Sequence, residues 1–229
     1  MLKKEPTLEK FLPKTILVED KEMLRNFLDK YEQIYLKPAN SAKGKGIFKI
    51  RKNAATIVVT EYSRKLFFPS LEAFWTEYES TFLKKNYIAQ EEITPLLYEG
   101  NRFDFRILAH FDGQSYQVSG VGVRQSGKQN VTTHVPNGGR ILDFNEVKRP
   151  GDEQFIEKIV NLCGEILSQQ LGFFGEFSID AGLTDKREYV IYEINSKPMS
   201  FDEEHIEKER IDSLMALFYQ LFRSQLFSD

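Results

Sequence analysis

Asp180, Glu193 and Asn195 are the residues whose types and spacing point most directly to chemistry. They lie on two alternating runs, Glu176-Phe177-Ser178-Ile179-Asp180 and Tyr189-Val190-Ile191-Tyr192-Glu193-Ile194-Asn195. Alternation of polar and apolar residues predicts two half-buried strands. The short segment from Ala181 to Glu188 makes them antiparallel neighbours. Side chains two apart on a strand share a face, so Glu193 and Asn195 project together, and Asp180 can close the same cluster. Two carboxylates and an amide oxygen on rigid strands form an all-oxygen site that suits Mg²⁺. Magnesium keeps positions open for phosphate oxygens, which suggests nucleotide chemistry. The same residues also describe the solvated polar face of an ordinary hairpin.

Lys37 is a second chemical element. It sits on the run Ile34-Tyr35-Leu36-Lys37-Pro38, just before the loop Ser41-Ala42-Lys43-Gly44-Lys45-Gly46-Ile47. Glycines let backbone N–H groups approach phosphate oxygens closely, and Lys43 and Lys45 add positive charge. Neither a Walker A loop nor a dinucleotide fingerprint is present. A tight hairpin with a solvated lysine pair accounts for the loop equally well. The third element is Phe103-Asp104-Phe105-Arg106-Ile107-Leu108-Ala109-His110-Phe111, in which the alternate Phe, Ile and Ala positions predict a core face. Asp104, Arg106, Leu108 and His110 share the other face. Arg106 can offer a planar fork to phosphate or carboxylate, Asp104 can hold it, and Arg124 on the returning strand is a second fixed cation. A cross-strand ion pair on a wet sheet, contributing ~0–1 kcal/mol, fits those residues too.

Composition bounds the possibilities. The 229 residues suit one large domain or two small lobes, with 41% apolar and 28% charged residues as in soluble globular proteins. A net charge of −3 without a basic block argues against nucleic acid as a partner. No long uncharged apolar run spans a membrane, and Met1-Leu2-Lys3-Lys4-Glu5-Pro6 lacks the apolar stretch of a signal peptide. The single cysteine, Cys163, excludes an internal disulfide and fits a reducing cytoplasm. Its neighbours Ile159, Ile166 and Leu167 predict a core thiol. The 19 phenylalanines are scattered, as core filling would be.

The elements that must position these residues mix helices and strands without βαβ alternation. Asp20 caps a first helix carrying Met23, Leu24, Phe27, Leu28 and Tyr31. Strands are expected at 34–38, 47–51 and 56–60, and Ser70 caps a helix with Leu71, Phe74, Trp75, Tyr78 and Phe82 on one face. A short strand from Tyr87 to Gln90 leads to Glu91-Glu92-Ile93. A long hairpin runs from Phe103 to Phe111, turns at Asp112-Gly113 as a type I′ signal, and returns through Arg124. Asp152 is expected to cap a helix burying Phe155, Ile156, Ile159, Val160, Cys163, Ile166 and Leu167. A last helix carries Ile211, Leu214, Met215, Phe218, Leu221 and Phe222. The pattern predicts an α+β protein.

The order of these features decides between the readings. Strand lysine, glycine loop, Gln-Glu before a change of lobe, D-x-R, Gly-Gly and then D…E-x-N resembles the serial layout of the ATP-grasp superfamily. The resemblance is to its YheC/YheD-like, endospore coat-associated branch, over about residues 11 to 222. It rests on Tyr35 to Ile47, on the hinge Tyr87-Ile88-Ala89-Gln90-Glu91-Glu92-Ile93, on Asp104-Phe105-Arg106, and on Ser178-Ile179-Asp180 with Tyr192-Glu193-Ile194-Asn195.

The resemblance implies two α+β lobes, 1–93 and 94–229, whose antiparallel sheets clasp ATP. It implies that Lys37 contacts the phosphates and that the loop of Ser41, Lys43, Gly44, Lys45 and Gly46 closes over them. Gln90 and the backbone of Glu91, Glu92 and Ile93 would serve the adenine edge, with a glutamate on the ribose. Asp104 would support the nucleotide side, Arg106 and Arg124 would hold transferring phosphate or acyl phosphate, and Asp180, Glu193 and Asn195 would bind one or two Mg²⁺ ions. Phosphoryl transfer needs little beyond such positioned cations and metal.

Two departures stand out. Related peptide-ligase-type members carry an asparagine four residues before the Gly-Gly pair, where this sequence has His134; Asn137 can substitute, or a different substrate is contacted. Family members usually have a further domain ahead of the nucleotide lobes. A fragment, a short form, or a subunit that needs a partner domain or chain is therefore expected. The resulting expectation is an ATP- and Mg²⁺-dependent ligase joining a carboxylate to an amine through an acyl phosphate, cytoplasmic or spore-associated. The alternatives are a nucleotide-binding spore-coat or scaffold protein without turnover, and a kinase of this fold.

Overall fold

A computed structural model describes residues 5–39, 46–54, 56–61, 64–127 and 139–226. The chain divides into two compact units, Pro13–Ile93 and Met1–Leu12 with Thr94–Asp229. The described start of the chain forms one helical turn, α1 (Pro6–Glu9), whose Leu8 is fully buried in the core of the second unit. Phe11 meets Phe155 edge-on there, and the Phe11 carbonyl accepts from Ile191 N–H at 2.8 Å. Leu8, Phe11 and Leu12, expected with the first lobe, thus have their apolar partners in the unit that contains Thr94–Asp229.

The Pro13–Ile93 unit contains β1 (Thr15–Leu17), α2 (Lys21–Tyr31), β2 (Gln33–Pro38), β3 (Phe48–Asn53), β4 (Thr56–Glu61), β5 (Arg64–Phe68), α3 (Leu71–Lys84) and β6 (Tyr87–Glu91). Its sheet runs β1-β6-β2-β3-β4-β5, antiparallel throughout. The Asp20 and Ser70 side chains accept from Met23 N–H (2.7 Å) and Ala73 N–H (3.2 Å), the N-cap bonds their positions predict. Strand period then divides the residues. Ile34, Leu36, Phe48, Ile50, Val59 and Ala89 bury against Leu24, Phe27 and Leu28 of α2 and Phe74, Trp75 and Phe82 of α3. Each of the larger aliphatic and phenylalanine side chains contributes roughly 1.5–3 kcal/mol by leaving water. Tyr35, Lys37, Lys49 and Gln90 are left on the opposite face.

The second unit adds β7 (Leu97–Tyr98), β8 (Asn101–Phe111), β9 (Tyr116–Gln125), β10 (Arg140–Leu142), α4 (Phe144–Val147), α5 (Asp152–Leu171), β11 (Glu176–Leu183), β12 (Tyr189–Asn195) and α6 (Glu204–Leu226). Its sheet runs β10-β9-β8-β11-β12, with β7 beside β8, again antiparallel. Phe103, Phe105, Ile107 and Ala109 pack against the buried side of α5, where Cys163 is wholly enclosed. Burial pushes its thiol up to about 12, so it is an inert core group. The other face of the sheet is covered by the start of α6. Glycines permit this approach: a Cβ at Gly120 would lie 2.7 Å from Ile206, and one at Gly122 2.6 Å from the Glu203 carboxylate. Among the described residues, no helix is long and apolar enough to cross a membrane.

Local chemistry departs from expectation at three places. Asp112-Gly113 makes no two-residue type I′ turn. The loop has four residues, because the Asp112 carboxylate accepts from Gln114 and Ser115 N–H (2.8 and 2.9 Å) and widens it; only Gly113 is at positive φ. Asp152 is not the cap of α5. Gly151, at φ +95°, holds that position, while the fully buried Asp152 accepts from Arg149 N–H (2.8 Å) and the Tyr189 hydroxyl (2.6 Å). Finally, Ile211, Met215, Phe218, Leu221 and Phe222 of α6 are exposed and Leu214 is half-buried, while Ile206 and Leu217 make the buried contacts of the helix.

α6 is fastened to β11 by charge. Arg210 donates from Nη2 and Nε to the two Glu176 oxygens, and His110 Nε2 lies 3.2 Å from the same carboxylate. Burial alone would raise the Glu176 carboxyl, but the His110 and Arg210 hydrogen bonds outweigh it and hold the group down at about 2. A depressed carboxyl stabilises the fold above its ordinary 4.5, and the contribution is lost as pH falls toward about 2. Arg210→Ala is expected to reduce the urea-unfolding free energy at neutral pH by about 3 kcal/mol, because Glu176 is left buried and poorly paired. The gap to wild type should narrow on acidification from 4.5. A gap below ~1 kcal/mol, or one unaffected by acid, contradicts this role.

Candidate functional site

The register of β11 builds the site. Asp180 lies directly between Arg106 on β8 and Glu193 on β12, and Arg106 in turn faces Gly122 on β9. One row across four strands thus reads Gly122, Arg106, Asp180, Glu193. The next row along contributes Ser178 opposite Asn195, and Asp104 faces Arg124 on the other side. The ladder between β11 and β12 shifts by one residue immediately after Asp180. A bulge there re-aims the chain just past the acidic pair. Asn195 Nδ2 donates to Asp180 Oδ2 at 3.4 Å, leaving its Oδ1 as a further acceptor. The three sequence-expected residues share one patch of one sheet face.

The electrostatics of that patch are unbalanced. Burial, joined by the Asp104 and Glu193 charges, pushes the Asp180 carboxyl up to about 6, with Arg106 and Arg124 offsetting them only in part. Arg106 is 6% exposed; burial first, then Arg124, lowers its pKa. Its Nη2 donates to the Met199 carbonyl at 2.8 Å and its guanidinium lies over Phe201, 4.8 Å from the ring centre. Arg124 Nη2 is 3.7 Å from Asp202. Arg106 Nε and Ser178 Oγ are buried without a hydrogen-bond partner among the described residues.

Sequence reasoning missed the segment that covers these groups. Pro198 to Glu203 runs from the end of β12 into α6, held by Phe201 N–H donating to Glu207 (2.9 Å) and by Arg210 donating to the Pro198 carbonyl (3.2 Å). Glu203 stands out, because it is 9% exposed and both carboxylate oxygens are buried without a hydrogen-bond partner among the described residues. The acidic run Asp202-Glu203-Glu204, which begins seven residues after Asn195, was the available signal. Among the described residues, no group of three or more His, Cys, Asp or Glu side chains is arranged to hold a metal. Two carboxylates and an amide still suit Mg²⁺, which keeps several waters and takes phosphate oxygens rather than a full protein cage.

In the other unit, Lys37 Nζ donates to Gln90 Oε1 at 2.9 Å, and Gln90 Nε2 donates to Thr15 Oγ1 at 3.2 Å. Lys49, which the sequence reading left aside, reaches Glu92 at 2.5 Å beneath Tyr35. The hinge is partly committed: Glu91 N–H donates to the Lys14 carbonyl (2.9 Å) and Glu92 N–H to the Gln33 carbonyl (3.3 Å), so Ile93 is the first position beyond the ladder. Gly46 is at φ +72°, where a Cβ would lie 2.7 Å from the Tyr87 hydroxyl. Ser41, Lys43, Gly44 and Lys45 lie outside the described residues, as do His134 and Asn137.

Comparison with known proteins bears on this arrangement. Two curated Bacillus subtilis (strain 168) proteins are similar to the chain. Endospore coat-associated protein YheD is 26% identical over 226 residues, covering 93% of this chain and 50% of its own length. Endospore coat-associated protein YheC is 22% identical over 209 residues, covering 86% and 57%. The chain thus spans little more than half the length of these relatives. Among solved structures, D-alanyl-alanine synthetase A from Vibrio cholerae O1 biovar eltor str. N16961 superposes with a TM-score of 0.57 at 10% identity, over 91% of this chain and 60% of that one. The ADP complex of purK, an N5-carboxyaminoimidazole ribonucleotide synthetase, gives 0.53 at 13% identity, over 89% and 47%. The ATP-grasp ligase PsnB with precursor peptide PsnA2 and AMPPNP gives 0.50 at 15%, over 90% and 53%. These similarities show the α+β ATP-grasp fold. The model of the YheC/D like ATP-grasp family matches residues 1–222, and the chain belongs to that family.

Proposed function

We propose that this protein is an ATP- and Mg²⁺-dependent ligase that activates a carboxylate as an acyl phosphate and passes it to an amine. The observation that carries the reading is the row Arg106, Asp180, Glu193 with Asn195 bound to Asp180. It sets paired carboxylates beside a buried guanidinium on rigid strands, the parts that phosphoryl transfer requires. Support comes from similar solved structures, among them the ATP-grasp ligase PsnB with AMPPNP and the ADP complex of purK.

Asp180, Glu193 and Asn195 would hold one or two Mg²⁺ ions. The raised Asp180 carboxyl fits this, since a nearby cation relieves the repulsion that burial intensifies. When bound, the metal neutralises charge developing on the transferring phosphoryl group. Arg106 and Arg124 would fix the phosphate or acyl-phosphate oxygens, with Asp104 orienting Arg124 across the ladder. Lys37, held by Gln90, would meet the nucleotide phosphates together with the Ser41–Gly46 loop, and Glu91 to Ile93 would meet the base. The boundary between the nucleotide-binding lobes is proposed at Ile93–Thr94. The acyl acceptor is proposed to be a small-molecule or peptide amine, with a partner domain or chain completing its pocket.

A second reading, a nucleotide-binding coat protein without turnover, draws on the relatives' description as endospore coat-associated. It would place the protein at the spore rather than in general cytoplasmic metabolism.

Thermal shift separates binding from its absence. Millimolar ATP with Mg²⁺ should stabilise the protein by roughly 2.7 kcal/mol at one hundred times the dissociation constant, and chelation should remove most of that. No response to ATP and Mg²⁺ defeats the proposal; a response without ADP formation on any carboxylate–amine mixture favours the coat reading. Lys37→Ala should weaken nucleotide binding by about tenfold or more while leaving the ligand-free Tm near that of wild type. Equal affinity in calorimetry removes Lys37 from the site. Asp180→Asn should move stability in opposite directions. In chelator at pH 7.5 the variant should gain about 1–2 kcal/mol, because the penalised charge is gone. With Mg²⁺ and ATP it should lose most of the ligand-induced gain. A simple loss of stability under both conditions makes Asp180 a structural residue.

A further inference from the structure

Gly122 leaves a gap in the row that carries Arg106, Asp180 and Glu193, and the chain fills it from elsewhere. A Cβ at Gly122 would lie 2.6 Å from Glu203 Oε1 and 3.1 Å from Oε2, so the Glu203 carboxylate rests on bare glycine backbone. Arg106 faces Gly122 from the neighbouring strand, and Arg124 follows two residues along β9 on the same face. The carboxylate thus lies in a slot with a glycine floor and an arginine on each of two sides. Both arginines are buried. Asp202 completes the cover, with its Oδ2 3.7 Å from Arg124 Nη2. Burial and Arg124 work against the Arg106 charge, whereas Asp180, Asp202 and Glu203 support it.

The fit of this internal anion is poor. Glu203 is 9% exposed, yet neither carboxylate oxygen has a hydrogen-bond partner among the described residues, and neither does Arg106 Nε, buried on the same face. A buried charge without hydrogen bonds is costly and calls for a reason. Helix capping does not supply it, because Glu203 serves α6 through its carbonyl, which accepts from Ile206 and Glu207 N–H at 3.1 Å. A tetrahedral phosphoryl group brings more charge and more oxygens than a carboxylate, and can use the guanidinium edge that Glu203 leaves unbonded.

We propose that Glu203, assisted by Asp202, is a built-in and displaceable anion that keeps the Arg106–Arg124 slot closed until a phosphoryl oxyanion takes its place. The inference rests on the reading that these arginines hold phosphate, and adds that the chain itself competes for them. Only side chains need to move. The Glu203 carbonyl stays in α6, and Phe201 N–H stays on Glu207 at 2.9 Å. Between turnovers the internal anion keeps two buried guanidinium groups compensated. It also selects: an entering anion must turn both carboxylates out, which favours a multiply charged phosphoryl group over chloride or a simple carboxylate.

The probe is inorganic phosphate, titrated by phosphorus NMR against the 229-residue chain at constant ionic strength, without nucleotide or Mg²⁺. Glu203→Gln should bind it roughly tenfold more tightly than wild type, because a neutral amide no longer competes for the slot. Asp202→Asn, a change at an exposed side chain, should gain roughly threefold. Adding Arg106→Ala to Glu203→Gln should abolish the gain. A Glu203 that merely supports the fold gives the opposite sign, since loosening the cover then lowers affinity or leaves it unchanged. An unchanged or lower affinity in Glu203→Gln, or in Asp202→Asn should the first variant not fold, overturns the proposal. So does a gain that survives Arg106→Ala. These readouts need no nucleotide. Their failure leaves the response to ATP and Mg²⁺ standing, and a missing ATP response beside an intact phosphate gain defeats the ligase reading alone.

Discussion

The position of β11 in its sheet is the constraint on which the rest depends. β11 is paired on both sides, with β8 and β12, and its Phe177, Ile179 and Ala181 are fully buried against the α5 side. A slip of one residue would turn those three toward the α6 side and Ser178 and Asp180 into the core. The apolar face therefore fixes the polar one. Asp180 is held between Arg106 and Glu193 because Ile179 and Ile107 have only one place to go. Several kilocalories of hydrophobic burial secure a patch whose own electrostatics are unfavourable.

That patch then governs the far side of the sheet. A face with a buried Arg106, an elevated Asp180 and a Glu203 that has no hydrogen-bond partner among the described residues cannot simply be left to solvent or filled with apolar side chains. It is roofed by the 198–203 segment, which is pinned by Arg210, Glu207 and Phe201. Gly120 and Gly122 admit the roof where any side chain would collide with Ile206 or Glu203. α6 thus has one edge occupied in closing the site, and its apolar ridge points elsewhere. Buried polar groups without a partner among the described residues thus gather on this one face.

Much of this was legible in the sequence, for identifiable reasons. Strand alternation located the E-x-N hairpin and the core face of β8, and Asp20 and Ser70 announced two helix starts through their capping oxygens. The order of weak motifs gave the family when no one of them could. Other features depended on contacts distant in sequence. β1 has three residues, too few to show a period, and exists because β6 offers it an edge. β5 reads as a basic and aromatic stretch whose strand character comes from pairing with β4. Residues 5–12 look like a lead-in to the first lobe, yet Leu8 and Phe11 find their cavity in the second. Asp152 has the residue type of a cap but is claimed by Tyr189, 37 positions later. The α6 ridge has a helical period, and period alone does not say whether a face meets its own core or another surface. Asp202 and Glu203 escaped notice because an acidic pair before a helix ordinarily serves only its N-terminus.

The central claim is that Asp180, Glu193 and Asn195 form a metal site serving a nucleotide. It is tested most directly by a crystal structure of the chain with AMPPNP and Mn²⁺, in which anomalous scattering locates the ion without interpretation. The account predicts an anomalous peak within about 2.0–2.3 Å of oxygens from Asp180, Glu193 and Asn195, shared with phosphate oxygens of the nucleotide. A nucleotide bound with its ion away from these three side chains, or a saturated crystal with no ion at them, would contradict it.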